Sequence, residues 1–339
     1  MKPKKIIVKS DEKKKQLREY PECNNCGSDS FSVFLDGVSY WQYPGVFRLV
    51  QCQNCSLVFL HPRPLLSEIG KYYPKDSYWG QDIAQTFLTS DWKNERAKGY
   101  DFLYQLIHRY VKKGTILDIG AGTGMFLSYF KERGWETDGV ELSKEAVLFA
   151  KKVFDLKLKT GDFLKFSFKK NMYDVVTLNN VLEHLHQPKE TLQAIRPLLK
   201  DNGLLVITVP NIECIGIKLF GKKSHLLQPP RHLYQFSERT LTNMLNRAGY
   251  TVIGVDHGYW VHNYYSIFES FRLRFSAKFN AEEYASTKTT SSPSDSHFSI
   301  KNELQKLIGR CVTFGIVVLE LFFRRSEVIC VYATKSVNK

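Results

Sequence analysis

The sequence predicts an α/β fold, a seven-stranded sheet with helices on both faces, and three observations support it. The apolar run 115–119 ends in Gly-x-Gly-x-Gly, and apolar residues at helical spacing follow, which is the pattern of strand, turn and helix. Six further apolar runs lie at 135–140, 156–158, 173–178, 204–209, 250–255 and 328–334. Glycine or polar residues follow the runs at 115–119, 135–140, 156–158 and 173–178 at near-regular spacing, so we expect the ends of these four strands to meet at one edge of a parallel sheet.

The glycine turn predicts a ligand site. Gly120, Gly122 and Gly124 let the backbone approach a ligand where the next helix offers free N–H groups, although such turns also occur purely for packing. A nucleotide-like ligand is the candidate, because Glu141 ends the second strand and can accept both ribose hydroxyls. A dinucleotide-binding enzyme is disfavoured. Its fingerprint is Gly-x-Gly-x-x-Gly, whereas here the third glycine comes one residue early and Asp118 precedes the first by two.

These motifs resemble those of the class I S-adenosylmethionine-dependent methyltransferases, which have a Rossmann-like fold. The similar segments, in the order of the family's first to fifth motifs, are LDIGAGTG at 117–124, VELS at 140–143, GDF at 161–163, YDVVTLNNVLEH at 173–184 and LLKDNGLLVITVPN at 198–211. The resemblance implies S-adenosylmethionine as the cofactor. It also implies a set of cofactor-binding residues, which are Asp118, Gly120, Ala121, Gly122, Gly124, Glu141, Leu142, Asp162, Phe163 and Asn179.

The resemblance also assigns roles within that set. The glycines would meet the methionine part of the cofactor, and Glu141 would hold the ribose. Asp162 would accept from the adenine amine, while the ring of Phe163 would stack on adenine. Asn179 would offer a carbonyl near the sulfonium.

Four cysteines predict a metal site near the amino end. Cys23, Cys26, Cys52 and Cys55 form two Cys-x-x-Cys pairs, each expected in a knuckle-like turn, with 25 residues between the pairs. Four thiolates arranged in this way suit tetrahedral zinc, and with no open coordination position the ion would be structural. Disulfides are the alternative, but no segment of the sequence directs the chain to an oxidising compartment.

The cysteine ribbon, its exit CSLVFLHPRP at 55–64 and the segment KYYPKDSYW at 71–79 extend the resemblance over nearly the whole chain. Together they are similar to a bacterial methyltransferase group found with surface-glycan and secondary-metabolite biosynthesis. This implies a small-molecule or glycan-related acceptor. Ser56 stands where glycine usually follows the fourth cysteine of the ribbon, which leaves the geometry of that turn open.

Two histidines are candidate catalytic bases. Enzymes that methylate nucleobase amines commonly show Asn/Asp-Pro-Pro-aromatic in the fourth motif, whereas this chain ends that motif in Glu183-His184, so we disfavour base methylation. His184, expected on the first turn of the next helix, could take a proton from a hydroxyl acceptor. Alternatively, Glu183 and His184 only cap that helix.

The second candidate base, His232, lies in the long loop after the fifth strand. Its neighbour Arg231 is a candidate for holding an anionic group. We favour His232 slightly because that loop can close over the acceptor, although a structural role inside the loop is an equal alternative for both residues.

Composition limits the remaining function classes. A content of 43% hydrophobic and 14% aromatic residues in 339 fits a globular protein. The net charge is +14, and in the first twenty residues eight Lys/Arg oppose three acids, without the apolar run of a secretory signal. A solvated basic surface explains this excess; attraction to an anionic glycan, nucleic acid or membrane is the alternative. We expect a cytoplasmic protein, peripheral at the inner face of the membrane in one alternative.

The predicted organisation has four parts. They are a flexible basic tail at 1–20, the zinc ribbon at 21–62, a helical linker or lid at 63–111, and the methyltransferase domain at 112–339 with inserts at 212–236 and 259–326. The second insert begins with aromatic residues, passes a polar stretch at 286–296 that we expect to be disordered, and ends in an apolar run at 311–323. That run is too short to span a bilayer. A buried helix, a contact with a membrane surface or lipid-linked substrate, and an oligomer contact remain open for it.

The function predicted from the sequence is therefore methyl transfer from S-adenosylmethionine to a small-molecule or glycan-related acceptor, with oxygen favoured over nitrogen or carbon. An RNA methyltransferase is the alternative enzyme, supported by the ribbon and the charge. A binding or scaffold protein that retains the cofactor fold without catalysis is the alternative of another class. The sequence does not fix the oligomeric state.

Overall fold

The computed structural model describes residues 5–6, 18–40, 43–73, 90–257, 267, 270–271, 311–320 and 322–336. The strands before the glycine turn are β1 Lys5–Ile6, β2 Arg18–Glu19, β3 Phe31–Tyr40, β4 Tyr43–Cys52, β5 Val58–Leu60 and β6 Arg63–Pro64. The later strands are β7 Thr115–Ile119, β8 Glu136–Glu141, β9 Leu158–Thr160, β10 Tyr173–Asn179, β11 Leu199–Pro210, β12 Tyr234–Gln235, β13 Tyr250–Asp256 and β14 Val328–Lys335. The helices are α1 Leu66–Ile69, α2 Ser90–Tyr110, α3 Met125–Lys131, α4 Lys144–Phe154, α5 Pro188–Ile195, α6 Ile215–Phe220 and α7 Glu238–Arg247.

A seven-stranded mixed sheet forms the centre of the fold, in the order β13-β14-β11-β10-β7-β8-β9. Strands β7 to β11 pair in parallel, and β14 runs antiparallel between β11 and β13. This confirms the predicted α/β sheet of seven strands. Because parallel strands end at the same edge, the carboxyl ends of β7, β8 and β10 meet there, at the glycine turn.

Helices cover both faces of this sheet. Neighbouring residues of β11, Val206 and Ile207, enter different buried clusters because successive side chains of a strand point to opposite faces. The Val206 cluster includes residues of α2 and α3, and the Ile207 cluster includes residues of α5 and α7. Helix α7 begins after Ser237, whose side chain is the N-cap and accepts from the N–H of Thr240.

The amino-terminal part is joined to the part that carries the seven-stranded sheet, because the two share a second sheet. Its sheet has the order β12-β5-β4-β3, so its edge strand β12 comes from the insert predicted at 212–236. Tyr234 pairs with Phe59 and Gln235 with Val58. Side chains of the cysteine knuckle add bonds to the helices, since Asn24 donates to Glu190 at 2.9 Å and Asn25 to Asn243 at 3.0 Å.

The segment expected to be a flexible tail contributes strands. Strand β2 pairs with β6, and Glu19 is buried. The physical reason is Arg63, which is also buried and donates to Glu19 at 2.7 Å and to the hydroxyl of Tyr234 at 2.7 Å. A buried guanidinium needs such partners. Glu19 is therefore packed in the fold, although the sequence predicts a flexible tail at 1–20.

The carboxyl-terminal insert is described only in part. The aromatic residues Tyr259, Trp260, Tyr264, Tyr265 and Phe268 and the polar stretch 286–296 lie outside the described residues. Residues 311–320 are helical and bury Ile316 and Val317, whereas Phe314 is 66% exposed. Of the three alternatives left open for this run, a buried helix therefore fits the side that carries Ile316 and Val317, and it does not fit the side that carries Phe314. Within the described part of the chain, none of the helices combines the length and the apolar character needed to cross a bilayer.

Candidate functional site

The glycine turn connects β7 to α3 with unusual backbone geometry. Gly120, Gly122 and Gly124 have φ of +75°, +55° and +77°, a region that favours glycine. A Cβ on Gly120 would lie 2.5 Å from a methyl carbon of Val181, and one on Gly124 would lie 2.7 Å from Leu156. Gly120 and Gly124 are thus required for packing of the fold, and their contact with a ligand stays a prediction.

Glu141 holds the turn from the neighbouring strand. Its carboxylate accepts from the N–H of Gly122 at 2.9 Å and from the N–H of Ser143 at 2.8 Å. Burial raises the pKa of this carboxyl, and the backbone bonds oppose the shift. Each carboxylate oxygen can accept further bonds, so Glu141 fits the expected ribose acceptor.

Asp118 lies beneath the turn and bonds to the sheet. Its carboxyl accepts from the hydroxyl of Thr177 on β10 at 2.6 Å, and the residue is 2% exposed. Burial raises its pKa to about 7, the Thr177 bond lowers it in part, and Glu141 adds to the rise. On the side of β8, the N–H of Ala121 donates to the carbonyl of Val140 at 3.0 Å.

The residues expected around adenine take two different positions. Leu142 is 72% exposed and offers apolar surface at the tip of β8. Asp162 accepts from the N–H of Leu164 at 3.1 Å and so caps a turn. The ring of Phe163 is buried and stacks on Phe168, with centroids 5.5 Å apart. The expected stacking of Phe163 on adenine stays a prediction, since Phe168 occupies one face of the ring.

The two candidate catalytic histidines lie next to each other. The ring centroids of His184 and His232 are 4.7 Å apart at an interplanar angle of 76°. Nδ1 of His184 lies 2.9 Å from the hydroxyl of Tyr73 and 3.0 Å from the carbonyl of Arg231, and Nδ1 of His232 lies 2.8 Å from the carbonyl of Leu226. The sequence could not show that the two candidates belong to one cluster. Their catalytic role stays a prediction.

Both rings are neutral at pH 7. Burial and the nearby Arg231 charge lower the pKa of His184 to about 4. Burial, His184 and Arg231 together hold the pKa of His232 well below its usual value. A neutral imidazole can accept a proton or bind a cation. His232 itself is buried at 5% exposure, so its ring is already packed and does not lie on an open loop.

Glu183 is the most unusual neighbour of this pair. It is 1% exposed, and neither carboxylate oxygen has a hydrogen-bond partner among the described residues. Burial raises its pKa to about 8. His184 ends a 3₁₀ turn, and α5 begins later at Pro188 with Gln187 as N-cap, which corrects the expected place of His184 on the helix. The alternative role of Glu183 and His184 as helix caps has no support in this geometry.

Tyr73 is a site residue that sequence reasoning did not single out. It lies at the end of the amino-terminal part, and its only signal is membership of the segment at 71–79. Arg231 is buried, donates to Gln228 at 2.7 Å and packs over the rings of Tyr40 and Tyr73. These contacts favour a structural and electrostatic role for Arg231 over contact with the acceptor. Asn179 accepts from the hydroxyl of Thr208 at 3.0 Å through its side chain.

The four cysteines of the ribbon converge as predicted. Their sulfur atoms all lie within 4.8 Å of one another, with 3.5 Å between Cys23 and Cys55 and between Cys26 and Cys52. Sulfurs bound to one zinc at about 2.3 Å lie roughly 3.8 Å apart, so the donors fit a tetrahedral ion. The hydrogen bond between Cys23 and Cys55 lowers the pKa of Cys55 and raises the pKa of Cys23, so a bound metal would still have to displace protons from the cluster.

Ser56 keeps the turn geometry of the ribbon. Its φ is +63°, close to the +76° of Gly27 at the equivalent place after the first pair. The N–H of Ser56 donates to the carbonyl of Cys52 at 2.9 Å, as that of Gly27 does to Cys23 at 2.7 Å. The serine therefore adopts the conformation that glycine adopts in the first knuckle.

Comparisons with known proteins agree with this geometry. Residues 92–255 match the family model of a methyltransferase domain. An uncharacterized protein of Methanocaldococcus jannaschii is 26% identical over 160 residues, which are 47% of this chain and 75% of that protein. A ubiquinone biosynthesis O-methyltransferase of Glaesserella parasuis is 26% identical over 135 residues, which are 36% of this chain and 57% of that protein.

Among solved structures, that of an S-adenosylmethionine-dependent methyltransferase from Archaeoglobus fulgidus covers 71% of this chain and 94% of its own, with a TM-score of 0.44 and 21% identity. The matched domain contains the glycine turn, Glu141 and the tips of β7, β8 and β10. Residues 92–255, just under half of this chain, therefore match a methyltransferase domain.

Proposed function

We propose that this protein transfers the methyl group of S-adenosylmethionine to a hydroxyl oxygen of a small-molecule or glycan-related acceptor. The observation that carries the proposal is the cluster of Glu183, His184 and His232 directly after β10, at the edge of the sheet where the glycine turn lies. The neutral imidazoles of His184 and His232 can accept hydrogen bonds, which suits a hydroxyl that must give up its proton. The fourth motif also lacks the Asn/Asp-Pro-Pro-aromatic segment of enzymes that methylate nucleobase amines, which again favours a hydroxyl acceptor.

The cofactor, when bound, supplies a methyl group on a positively charged sulfur. The chain's own task is to hold it beside the acceptor, and much of the rate of such a transfer comes from positioning. Glu141 would accept from the ribose while it keeps Gly122 in place, and the exposed side chain of Leu142 would cover adenine. Asn179 and the turn from Gly120 would border the reacting end.

The histidine pair would receive the acceptor. The His184 side chain retains 19% exposure, whereas His232 is 5% exposed, so His184 is the ring better placed to meet a bound molecule. His232 would then keep the His184 ring in place through their edge-to-face contact. The greater exposure of His184 reverses the slight preference for His232 that the sequence suggests. Substitution of each histidine in turn decides between the two.

The class of acceptor is supported by likeness and by charge. The ribbon and its exit segment resemble enzymes of glycan and secondary-metabolite biosynthesis, and the relative from Glaesserella parasuis is named an O-methyltransferase. The net charge of +14 favours an acceptor that carries anionic groups. We also propose that the four cysteines of the ribbon hold one structural zinc ion, because their spacing fits it and β12 ties the ribbon to the His232 segment.

The experiment that tests the function is transfer of a labelled methyl group from S-adenosylmethionine into cell extract, followed by separation of glycan, lipid and nucleic acid pools. Label in the glycan or small-molecule pool, bound to oxygen by mass spectrometry, is the expected result. The Glu141→Ala variant is the control because it lacks the ribose acceptor. Label in RNA would identify the alternative enzyme, and cofactor binding without label in any pool would identify a non-catalytic protein.

A further inference from the structure

Three side chains after β10 bring hydrogen-bond acceptors together. A carboxylate oxygen of Glu183 and one ring nitrogen from each of His184 and His232 lie within 4.8 Å of one another. The Glu183 carboxylate is buried without a hydrogen-bond partner in the parts of the chain that the structure describes. Buried polar groups normally have partners because burial without one costs free energy, so this group requires a cation or a proton.

The backbone determines which nitrogen of each ring is available. Nδ1 of His232 lies 2.8 Å from the carbonyl of Leu226, and Nδ1 of His184 lies 3.0 Å from the carbonyl of Arg231. A carbonyl oxygen only accepts, so each Nδ1 carries the ring proton and each Nε2 presents a lone pair; the hydroxyl oxygen of Tyr73, 2.9 Å from Nδ1 of His184, is then a second acceptor for that proton. Histidines that bind metals are commonly held in this way, with the other ring nitrogen donating to a backbone carbonyl or a carboxylate.

A hydrogen bond inside the cluster does not satisfy Glu183. A protonated carboxyl could donate to Nε2 of His184, but the distance from Oε1 of Glu183 to that nitrogen is 3.7 Å. This exceeds the length of a hydrogen bond. Ligands at about 2.1 Å from one ion lie roughly 3 to 4 Å apart, so a small adjustment of the side chains would close the cluster around a metal.

We propose that Glu183, His184 and His232 bind one divalent first-row metal ion. Two imidazoles and one carboxylate leave coordination positions open, and this donor set suits Mn²⁺, Fe²⁺, Co²⁺ or Zn²⁺ better than Mg²⁺. The 19% exposure of the His184 side chain gives a route to the site from outside.

The role of the ion rests on the proposed function. At an open coordination position it would bind the acceptor hydroxyl and lower the pKa of that hydroxyl. The imidazoles would then act as metal ligands, and the hydroxyl proton would pass to solvent or buffer instead of to a histidine. The bond that forms is from the acceptor oxygen to the methyl carbon, and the bond that breaks is from that carbon to sulfur.

A second buried cluster provides the matched control. Cys214, Glu320 and Glu327 also place their ligand atoms within 4.8 Å of one another. There Oε1 of Glu320 accepts from the N–H of Gly216 at 3.1 Å, whereas both carboxylate oxygens of Glu183, like Oε2 of Glu320, have no hydrogen-bond partner among the described residues. The change of a buried glutamate to glutamine can thus be made at both clusters.

The test is titration of the full chain, purified with the ribbon metal retained, with Mn²⁺ under electron paramagnetic resonance. Mn²⁺ binds thiolates poorly, so the ribbon does not compete. We expect about one Mn²⁺ per chain in the wild type, and a loss of affinity of about 10- to 100-fold in Glu183→Gln and in His232→Gln. Glu320→Gln should bind Mn²⁺ as the wild type does, and calorimetry with S-adenosylmethionine reports whether each variant is folded.

Absence of Mn²⁺ binding in the wild type, or equal binding in Glu183→Gln, overturns the metal site. Loss of binding in Glu320→Gln alone moves the ion to the other cluster and also overturns it. If Glu183→Gln fails to fold, His232→Gln decides. Because binding is measured without turnover, a metal site that is present in a protein without methyl transfer would refute the proposed function and leave the site standing.

Discussion

The carboxylate of Glu141 on β8 accepts a hydrogen bond from the N–H of Gly122 at 2.9 Å, so the tips of two neighbouring strands are joined by a hydrogen bond. The same carboxylate also accepts from the N–H of Ser143 at 2.8 Å. The cofactor's ribose would thus meet an acceptor that is already held in place by the backbone. Loss of Glu141 should affect both ribose binding and the position of the turn.

Replacement of Glu141 by alanine should lower the affinity for S-adenosylmethionine by about 10- to 100-fold, because hydrogen bonds to a charged group are worth about 1.5–3 kcal/mol. Isothermal calorimetry measures this change. The control is Glu136→Ala, at the exposed start of the same strand, which should bind as the wild type does. Equal affinity in the wild type and the Glu141 variant would remove Glu141 from the cofactor site.

A side chain at Gly122 should also block the cofactor. Its φ of +55° would strain a β-branched residue, so asparagine, which tolerates this region, is the appropriate substitution. Gly122→Asn should keep the melting temperature and lose S-adenosylmethionine binding. The matched control is Gly27→Asn, because Gly27 has φ of +76° and nothing within 4 Å of an added Cβ, and Ser56 adopts a similar φ of +63° in the second knuckle. A wild-type affinity in Gly122→Asn would show that the turn does not meet the ligand.

The outcome at these glycines shows what a single sequence can predict. The spacing of apolar residues and glycines predicted the glycine turn, the strands of the sheet and Glu141 at the end of β8, because each of these depends on residues that are close in sequence. It could not show that Gly120 is packed against Val181, or that Tyr73 meets His184, because those contacts join segments that are distant in sequence. The sequence also did not show that Phe168 packs on one face of the Phe163 ring, because spacing alone does not fix how two aromatic side chains orient.

The ribbon should contain about one zinc per chain by elemental analysis, since four thiolates fill a tetrahedral site. Cys52→Ser should release the metal, lower the melting temperature and increase amide exchange up to Leu60, while calorimetry still detects cofactor binding. Cys311→Ser is the control, because Cys311 is exposed and outside the ribbon. A native protein that is fully folded and free of metal would contradict the assignment.

The buried pair of Arg63 and Glu19 should be important for stability. Arg63→Gln leaves the buried Glu19 carboxylate without its charge partner, which should reduce the free energy of unfolding by about 3–5 kcal/mol in urea titrations. Arg48 and Asp36 form a pair with the same 2.7 Å separation, but their side chains are 50% and 55% exposed. Arg48→Gln should therefore leave stability nearly unchanged. Similar effects of the two substitutions would show that burial of the Arg63 pair has no energetic consequence.

Asp118 should make stability depend on pH. Its pKa rises from 3.8 to about 7 in the folded protein, so the folded state holds its proton more tightly than the unfolded state. The contribution of this group is fully present below its unfolded pKa, and it is lost as pH rises from about 4 to about 7. Asp118→Asn removes this loss, so the stability of the variant relative to the wild type should increase over that range and stay level above it. Urea unfolding at several pH values measures the difference, and a difference independent of pH would contradict the raised pKa.

The histidine pair supplies the last prediction. His184→Gln and His232→Gln should each lower kcat by about 10²- to 10⁴-fold with unchanged affinity for S-adenosylmethionine, whether the rings act as a base or as metal ligands. Because the rings are in contact and act on the same acceptor, the double variant should lose little more than either single variant. His108→Gln is the control, since His108 lies on α2 and stacks on Tyr104.

Single-turnover measurements with each variant separate the possible results. Loss in His184→Gln alone would assign the acceptor contact to His184, and loss in His232→Gln alone would restore the preference that the sequence suggests. Wild-type kcat in both variants would mean that positioning of the cofactor and acceptor is sufficient for transfer. Effects that add in full in the double variant would show that the two rings act independently, despite centroids only 4.7 Å apart.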